Sequence, residues 1–512
     1  MKEHIFLPLQ LITFTTEYTA VICMFQDTVI QPLLSHLTNE NDSVALCIDG
    51  KEFSYSQLHD RVEAIRDYVR TQQSPLMGII AYDDIDTYAS ILALWIEGRG
   101  YVPLHPLQPV ARLNNIVEQV GLDVILTPKE TPVGLASNII TTCSLHTSSV
   151  QQPPRDVPDT QPAYILFTSG STGNPKGVPV TRGNVAGWAD AFDAMGMDVS
   201  RTDRCLQMFD LTFDLSVGSF LPAFLHGASL YTVAPGRVKY QEVFCLMDEY
   251  SLTFALMVPS VIHYLRHYVD ELNDTAMRHC LFCGEALNAD DARVWRQAVP
   301  NARLWNVYGP TEDTIFCTVY ELDDHPKDVN GTVCIGKAMR NNLTAIVDDN
   351  GHFLREGELG ELCLSGRQLT PGYWNDEANN RKAFFMVDGR RWYRTGDICS
   401  LDGDGDILYY GRNDSQVKIQ GFRVELGEIE HAARNFFHGE RNAVAIAVED
   451  KSGNAIIRLA IEGSAMETGE LKEFLSGVLP QYMLPHDFMF IEHFPQNANN
   501  KIDRKAIKKM IK

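Results

Sequence analysis

An apolar run with strand character, Tyr164-Ile165-Leu166-Phe167, opens directly into Thr168-Ser169-Gly170-Ser171-Thr172-Gly173-Asn174-Pro175-Lys176-Gly177. Thr168, Ser169, Ser171 and Thr172 offer hydroxyl donors, the glycines let backbone N–H groups approach an anion closely, and Lys176 adds a point charge. A Ser/Gly linker would not be entered through a buried-strand pattern or left through Pro-Lys-Gly. A Walker A loop requires glycine directly before the lysine, and Pro175 stands there. The stretch therefore reads as a phosphate cradle at the end of a strand, of a kind other than the P-loop NTPases.

The pattern around it is that of an α/β protein. Helical periodicity at 54–68 (Leu58, Val62, Ile65) and 88–98 alternates with strand runs at 78–82 and 124–127, the order of a doubly wound parallel sheet. Polar/apolar alternation over 357–373 predicts antiparallel strands and a small barrel-like unit. Strand runs at 443–448, 456–461 and 488–491 with a helix at 469–479 predict a small α+β domain, and 512 residues call for at least two cores. With 66 acidic against 44 basic residues the net charge is −22, which argues against a nucleic-acid or anionic-membrane binder. An anionic ligand then needs a local cluster of cations. Eleven cysteines, odd in number and scattered, read as reduced thiols of a cytoplasmic protein. Cys280-Leu-Phe-Cys283 lies in an apolar strand run with no second pair, which disfavours zinc or redox use. Residues 1–23 are apolar in part, but Glu17 interrupts them and no cleavage pattern follows, so they read as an extension ahead of a start at Met24.

Other stretches also carry chemistry. Asp214, in Phe213-Asp214-Leu215-Ser216, is an acidic residue among apolar neighbours, which either caps the next element or awaits a ligand cation. Leu281-Phe282-Cys283-Gly284-Glu285 and Asn306-Val307-Tyr308-Gly309-Pro310-Thr311-Glu312 each end a strand in a glycine turn. Ligands of open α/β sheets gather at the carboxyl ends of strands, so both turns belong beside one site.

Leu166 to Gly177 (LFTSGSTGNPKG) resembles the phosphate-loop signature of the adenylate-forming superfamily, which includes acyl- and aryl-CoA ligases, nonribosomal peptide synthetase adenylation domains and firefly luciferase. Further matches follow in family order: Gly100 to Pro106, with His105 in place of the usual acidic residue, Asn306 to Glu312, Gly357 to Tyr373, Tyr393 to Asp397, Gly411 to Glu430, Leu479 to Pro485, and Pro495 to Lys505, with Asn500 where glycine is usual. The resemblance implies a core lobe over 24–411, a hinge over 412–415 at Asp414 and a mobile lid over 416–512. It also implies ATP and Mg²⁺. The nucleotide would meet Thr168, Ser169, Gly170, Ser171, Thr172, Gly173, Lys176, Gly284, Glu285, Asn306, Tyr308, Gly309, Thr311, Asp397, Arg412 and Lys501, with the metal on Glu312. Lys501, Glu312, Thr172 and Lys176 would be catalytic.

In the same resemblance Asp214 meets the α-ammonium of an amino acid, a role that fatty-acid and aryl-acid activators do not need. The substrate pocket would be lined by Asp214, Leu215, Gly218, Leu256, Leu281, Cys283, Val307, Ile315 and Phe316, apolar apart from the aspartate. This set looks most like the D-alanine:carrier protein ligase branch, with Gly218 leaving room for a side chain larger than alanine. No carrier domain follows Lys512, so the expected acceptor is the phosphopantetheine thiol of a separate carrier protein, or coenzyme A. A stand-alone adenylation enzyme for another amino acid, an acyl- or aryl-CoA synthetase, and a silent carrier-binding relative are the competing expectations. No nucleic-acid or membrane partner is expected.

Overall fold

The computed structural model describes residues 25–39, 42–129, 134–147, 152–169, 175–233, 236–272, 274–413, 416–450, 454–495 and 502–511. Two largely parallel sheets dominate. One runs Asn138–Thr141, Val124–Thr127, Leu76–Ile80, Gly100–Leu104, Pro162–Thr168 and Lys176–Thr181, with only the last pair antiparallel. The other places Arg303–Tyr308, His279–Phe282, Phe254–Met257, Arg204–Gln207, Ser229–Thr232 and Val44–Ile48 side by side, all parallel, with antiparallel strands at both edges. Their strands read as unbroken apolar runs because both faces are covered, as every residue of Leu76–Ile80 shows.

The helices Ile85–Ile96 and Asp214–Leu225 are buried along their whole length and belong to one apolar core. A helix that is apolar all round belongs in an interior. Tyr88 meets Phe220 and Phe224 edge-on at 6.0 and 6.1 Å, locking the two helices together. At the surface the helix Tyr55–Thr71 shows the usual signals: Ser54 and Gln57 form a capping box, and Leu58, Val62, Ile65 and Val69 make its buried stripe.

A five-stranded antiparallel sheet built from Asn342–Val347, Gly360–Gly366, Phe384–Val387, Arg390–Leu401 and Ile407–Arg412 stands where the barrel-like unit is expected. From Gln416 onward the chain forms a hairpin, Gln416–Ile419 with Phe422–Glu425, and a three-stranded sheet with helices Leu426–Phe436, Gly469–Val478 and Arg504–Met510. The hairpin turns on Gln420 and Gly421, both at positive φ (51° and 82°), the geometry of a two-residue turn that follows the strand twist. Cys280 and Cys283 fall in cores on opposite faces of their sheet, so they share no ligand site, and the ten described cysteines are all free. Among the described residues no helix is long and apolar enough to cross a membrane.

Candidate active site

The carboxyl ends of the central parallel strands open onto a cavity of about 360 Å³. Its wall takes Thr168 and Ser169 from the end of one sheet, and Asp214, Leu215, Cys283, Gly284, Tyr308, Gly309, Thr311 and Ile315 from the other. Asp397 and Arg412 come from the antiparallel sheet, and Gln416, Lys418 and Gln420 to Arg423 from the hairpin beyond it. Residues some 250 positions apart in the chain are thus joined at one place, as the hydroxyl of Ser169 shows: it donates to the Arg423 carbonyl (2.9 Å) and accepts the Glu425 N–H (3.1 Å).

At one end, around Asp214, Leu215, Cys283 and Ile315, lies the recess where the amino acid is expected. Asp214 opens its helix with no cation beside it among the described residues, and its carboxylate accepts the Ile315 N–H at 3.1 Å. Burial pushes its carboxyl up to about 6, against the lowering effect of the Ile315 N–H and the Thr311 hydroxyl. Of the nine expected lining residues, Asp214, Leu215, Cys283 and Ile315 face the cavity. Gly218, Leu256, Leu281, Val307 and Phe316 lie behind them in close-packed interior. A Cβ on Gly218 would stand 2.8 Å from Ile315 Cγ2 and 3.0 Å from Leu256 Cδ2. The room expected from this glycine is therefore already filled. Thr314 and Ile315, both β-branched, sit at φ 53° and 69°, a conformation costing on the order of 1–3 kcal/mol per residue.

The other end is polar. Tyr308 donates its hydroxyl to Asp397, and Arg412 Nη1 donates to the same carboxylate at 3.0 Å, so the group assigned to the ribose is held from two sides. Glu285 accepts Ser260 N–H (2.9 Å) and Gly421 N–H (2.8 Å), tying the hairpin turn to the core. Asn306, expected at the base, does not line the cavity; its amide donates to the carbonyls of Cys334 (2.9 Å) and Val333 (3.3 Å). Glu312 is fully buried and engaged on both oxygens by Arg423 Nη1 (3.0 and 2.8 Å), with the Tyr373 hydroxyl donating at 2.7 Å. Burial alone would raise its carboxyl, but Arg423, Tyr373 and Lys176 hold it below the ordinary range. Lys176 Nζ lies 5.5 Å over the Tyr373 ring. The carboxylate oxygens of Glu312 suit Mg²⁺ in their donor chemistry, and in this arrangement their charge is matched by Arg423.

Gly170, Ser171, Thr172, Gly173, Asp414 and Lys501 lie outside the described residues. The segment bearing Lys501 is bounded by a bond from Asp503 N–H to the Pro495 carbonyl (2.7 Å) and by Arg504 on Glu430. Sequence reasoning missed Arg423, Tyr373 and the stack of Phe422 on Tyr482 (4.2 Å between ring centres, 7° between planes). Arg423 had a findable signal: a buried glutamate in so acidic a chain must find a cation somewhere.

Against known proteins, residues 35–374 match the model of the AMP-binding enzyme family, and the chain belongs to that family of ligases, within the adenylate-forming superfamily. It is 28% identical over 502 residues to a D-alanine–D-alanyl carrier protein ligase of Lactiplantibacillus plantarum, covering 94% of this chain and 99% of that protein. It is 31% identical to tyrocidine synthase 1 of Brevibacillus parabrevis, covering 91% of this chain and 43% of that protein. Of the much longer tyrocidine synthase 3 from the same organism, 30% identical over 94% of this chain, it spans only 8%. Among solved structures, the Vibrio cholerae adenylation domain AlmE in complex with glycyl-adenosine-5'-phosphate superposes with a TM-score of 0.82 at 28% identity, over 96% of this chain and 98% of that one.

Proposed function

We propose that this chain activates a small amino acid, glycine or alanine, as its aminoacyl-adenylate at the expense of ATP. It then passes the acyl group as a thioester to the phosphopantetheine arm of a separate carrier protein. The observation that carries this reading is Asp214: a buried carboxylate without a cation among the described residues, facing a recess whose space at Gly218 is filled by Ile315 and Leu256. Such a group suits an α-ammonium and leaves no volume for a large side chain. The likeness to a ligase for D-alanine and to an adenylation domain holding glycyl-adenylate points the same way.

In the first half-reaction a substrate carboxylate oxygen attacks the α-phosphorus, and the bond to pyrophosphate breaks. Two anions must be brought together, so catalysis is mostly positioning and charge neutralisation. Asp214 anchors the ammonium, Tyr308 offers a face to the base, Asp397 receives the ribose hydroxyls, and Thr168, Ser169, Lys176 and Lys501 balance the phosphates. Glu312 would hold Mg²⁺, which supplies positive charge at the phosphates when bound. In the second half-reaction a thiol sulfur attacks the acyl carbon, the bond to AMP breaks, and the thiol proton passes to solvent. The lid over 416–512 turns about Asp414 between the two. The hairpin's place against Ser169 and Glu312 supports reading this arrangement as that of the second half. A further cleft of about 610 Å³ between the hairpin side and the core, lined by His105, Phe209, Gln420 and Tyr482, is a route for the arm.

The test of the acceptor is direct. With ATP and labelled glycine or alanine, a phosphopantetheinylated carrier should acquire label far faster than coenzyme A. Equal or preferred labelling of coenzyme A would overturn the carrier assignment.

A further inference from the structure

Two consecutive β-branched residues in left-handed backbone do not persist unless the surroundings hold them there. For Thr314 and Ile315 one side chain supplies three of the bonds that do so. Gln368, fully buried in the segment after the Gly360–Gly366 strand, places its Nε2 3.1 Å from the carbonyl of Asp313, 3.1 Å from that of Thr314 and 2.8 Å from that of Phe316. Its backbone carbonyl accepts the Thr314 hydroxyl at 2.6 Å, and its Oε1 is fixed by Asn342. Two residues on, Thr370 N–H donates to the Glu312 carbonyl at 2.9 Å, so the segment spans the turn from one end to the other.

What the turn presents is the floor of the recess: the Ile315 N–H on Asp214, and the Ile315 side chain in the space beside Gly218. We infer that Gln368, which does not itself line the cavity, is the positioning residue that sets the size of the amino-acid recess. Without its amide, the peptides of the turn lose the donor that their carbonyls share, and Ile315 is free to return to ordinary backbone conformation. The recess then opens and Asp214 loses its backbone donor. The inference rests on the reading of Asp214 as the ammonium site and extends it to a residue in the turn that follows the Gly360–Gly366 strand.

Gln368→Met keeps the volume and removes the donors. In pyrophosphate exchange it should raise the KM for glycine and alanine by about tenfold, the effect of one buried hydrogen-bonding group, while the KM for ATP stays within about twofold. Valine and leucine should gain relative to glycine. Gln368→Glu, which turns acceptor oxygens toward the carbonyls, should act in the same direction and more strongly. On an Ile315→Gly background, where a positive φ costs nothing, Gln368→Met should change the specificity ratio far less than on the wild type. An unchanged ratio in both Gln368 variants, or a parallel loss for ATP and amino acid alike, would overturn the assignment. Hydrogen exchange at the Ile315 amide separates this from the enzymatic reading: it should quicken by about tenfold in Gln368→Met whether or not any amino acid is activated. An unaltered exchange rate there would also overturn it.

Discussion

Asp214, in the cavity wall, and Glu312, fully buried behind it against the wall residue Arg423, are both buried carboxylates, and their surroundings drive them in opposite directions. Asp214 meets the Ile315 amide and the Thr311 hydroxyl and no cation among the described residues, and burial pushes its carboxyl up to about 6; Glu312 has Arg423 on both oxygens and is held down. Such a pair separates the roles of two acids within one site. The end proposed for the amino acid is packed interior with no cation beside Asp214 among the described residues, and the proposal has the substrate's ammonium supply it. The other end, where the proposal places the phosphates, is polar and takes the Arg423 guanidinium from the C-terminal hairpin, a group that the proposed lid movement would withdraw. The proposed function thus puts specificity in packed core and the change between half-reactions in an ion pair that the lid would break.

The comparison can be broken most severely at the phosphate end. Lys501→Ala should lower pyrophosphate exchange by about a thousandfold, the scale of a lost transition-state charge partner, while calorimetry still detects ATP binding. At the other end, Asp214→Ala should raise the amino-acid KM by about a hundredfold and leave that for ATP nearly unchanged, the cost of removing one member of a buried charge pair. Arg423→Gln should then distinguish the ends: thioester formation falls about thirtyfold as Glu312 loses its guanidinium, with pyrophosphate exchange within about threefold of wild type. Equal losses in both assays would mean that Arg423 serves both half-reactions.

The mildest test is pH. A carboxyl raised in the folded protein keeps its proton at pH values where the unfolded chain has lost it, so stability without ligand declines as pH climbs from about 4 to about 6. Binding an ammonium needs the ionised form. The amino-acid kcat/KM should therefore drop by up to about tenfold for each pH unit below about 6, with the dependence on ATP flat over the same window.

Much of this was legible in the residues, because the elements concerned carry local signals. Buried parallel strands appear as unbroken apolar runs, and strands such as Val124–Thr127 and helices such as Ile85–Ile96 lie close to where periodicity places them. The glycine turns at 284 and 309 mark strand ends that converge on one cavity. Three features had no such signal. Gly218 reads as space, and whether space survives depends on Ile315, almost 100 positions away, entering it. Asn306 sits in a matching motif, yet its amide serves the carbonyls of Val333 and Cys334. Gln368 lies in a stretch whose pattern predicts only strand and turn, and its effect comes from bonds to residues some 54 positions earlier in the chain. Local pattern reveals which elements form; contacts between them decide what the site admits.

The central claim is that a recess whose space beside Gly218 is filled, with a carboxylate that meets no cation among the described residues, selects the smallest amino acids for adenylation. Its most direct test is pyrophosphate exchange with purified protein, ATP and Mg²⁺ across glycine, both enantiomers of alanine, valine, leucine and phenylalanine. Exchange should be fastest with glycine or one enantiomer of alanine and should fall steeply from valine to phenylalanine. Preference for leucine or phenylalanine, or exchange with none of these acids, would contradict it.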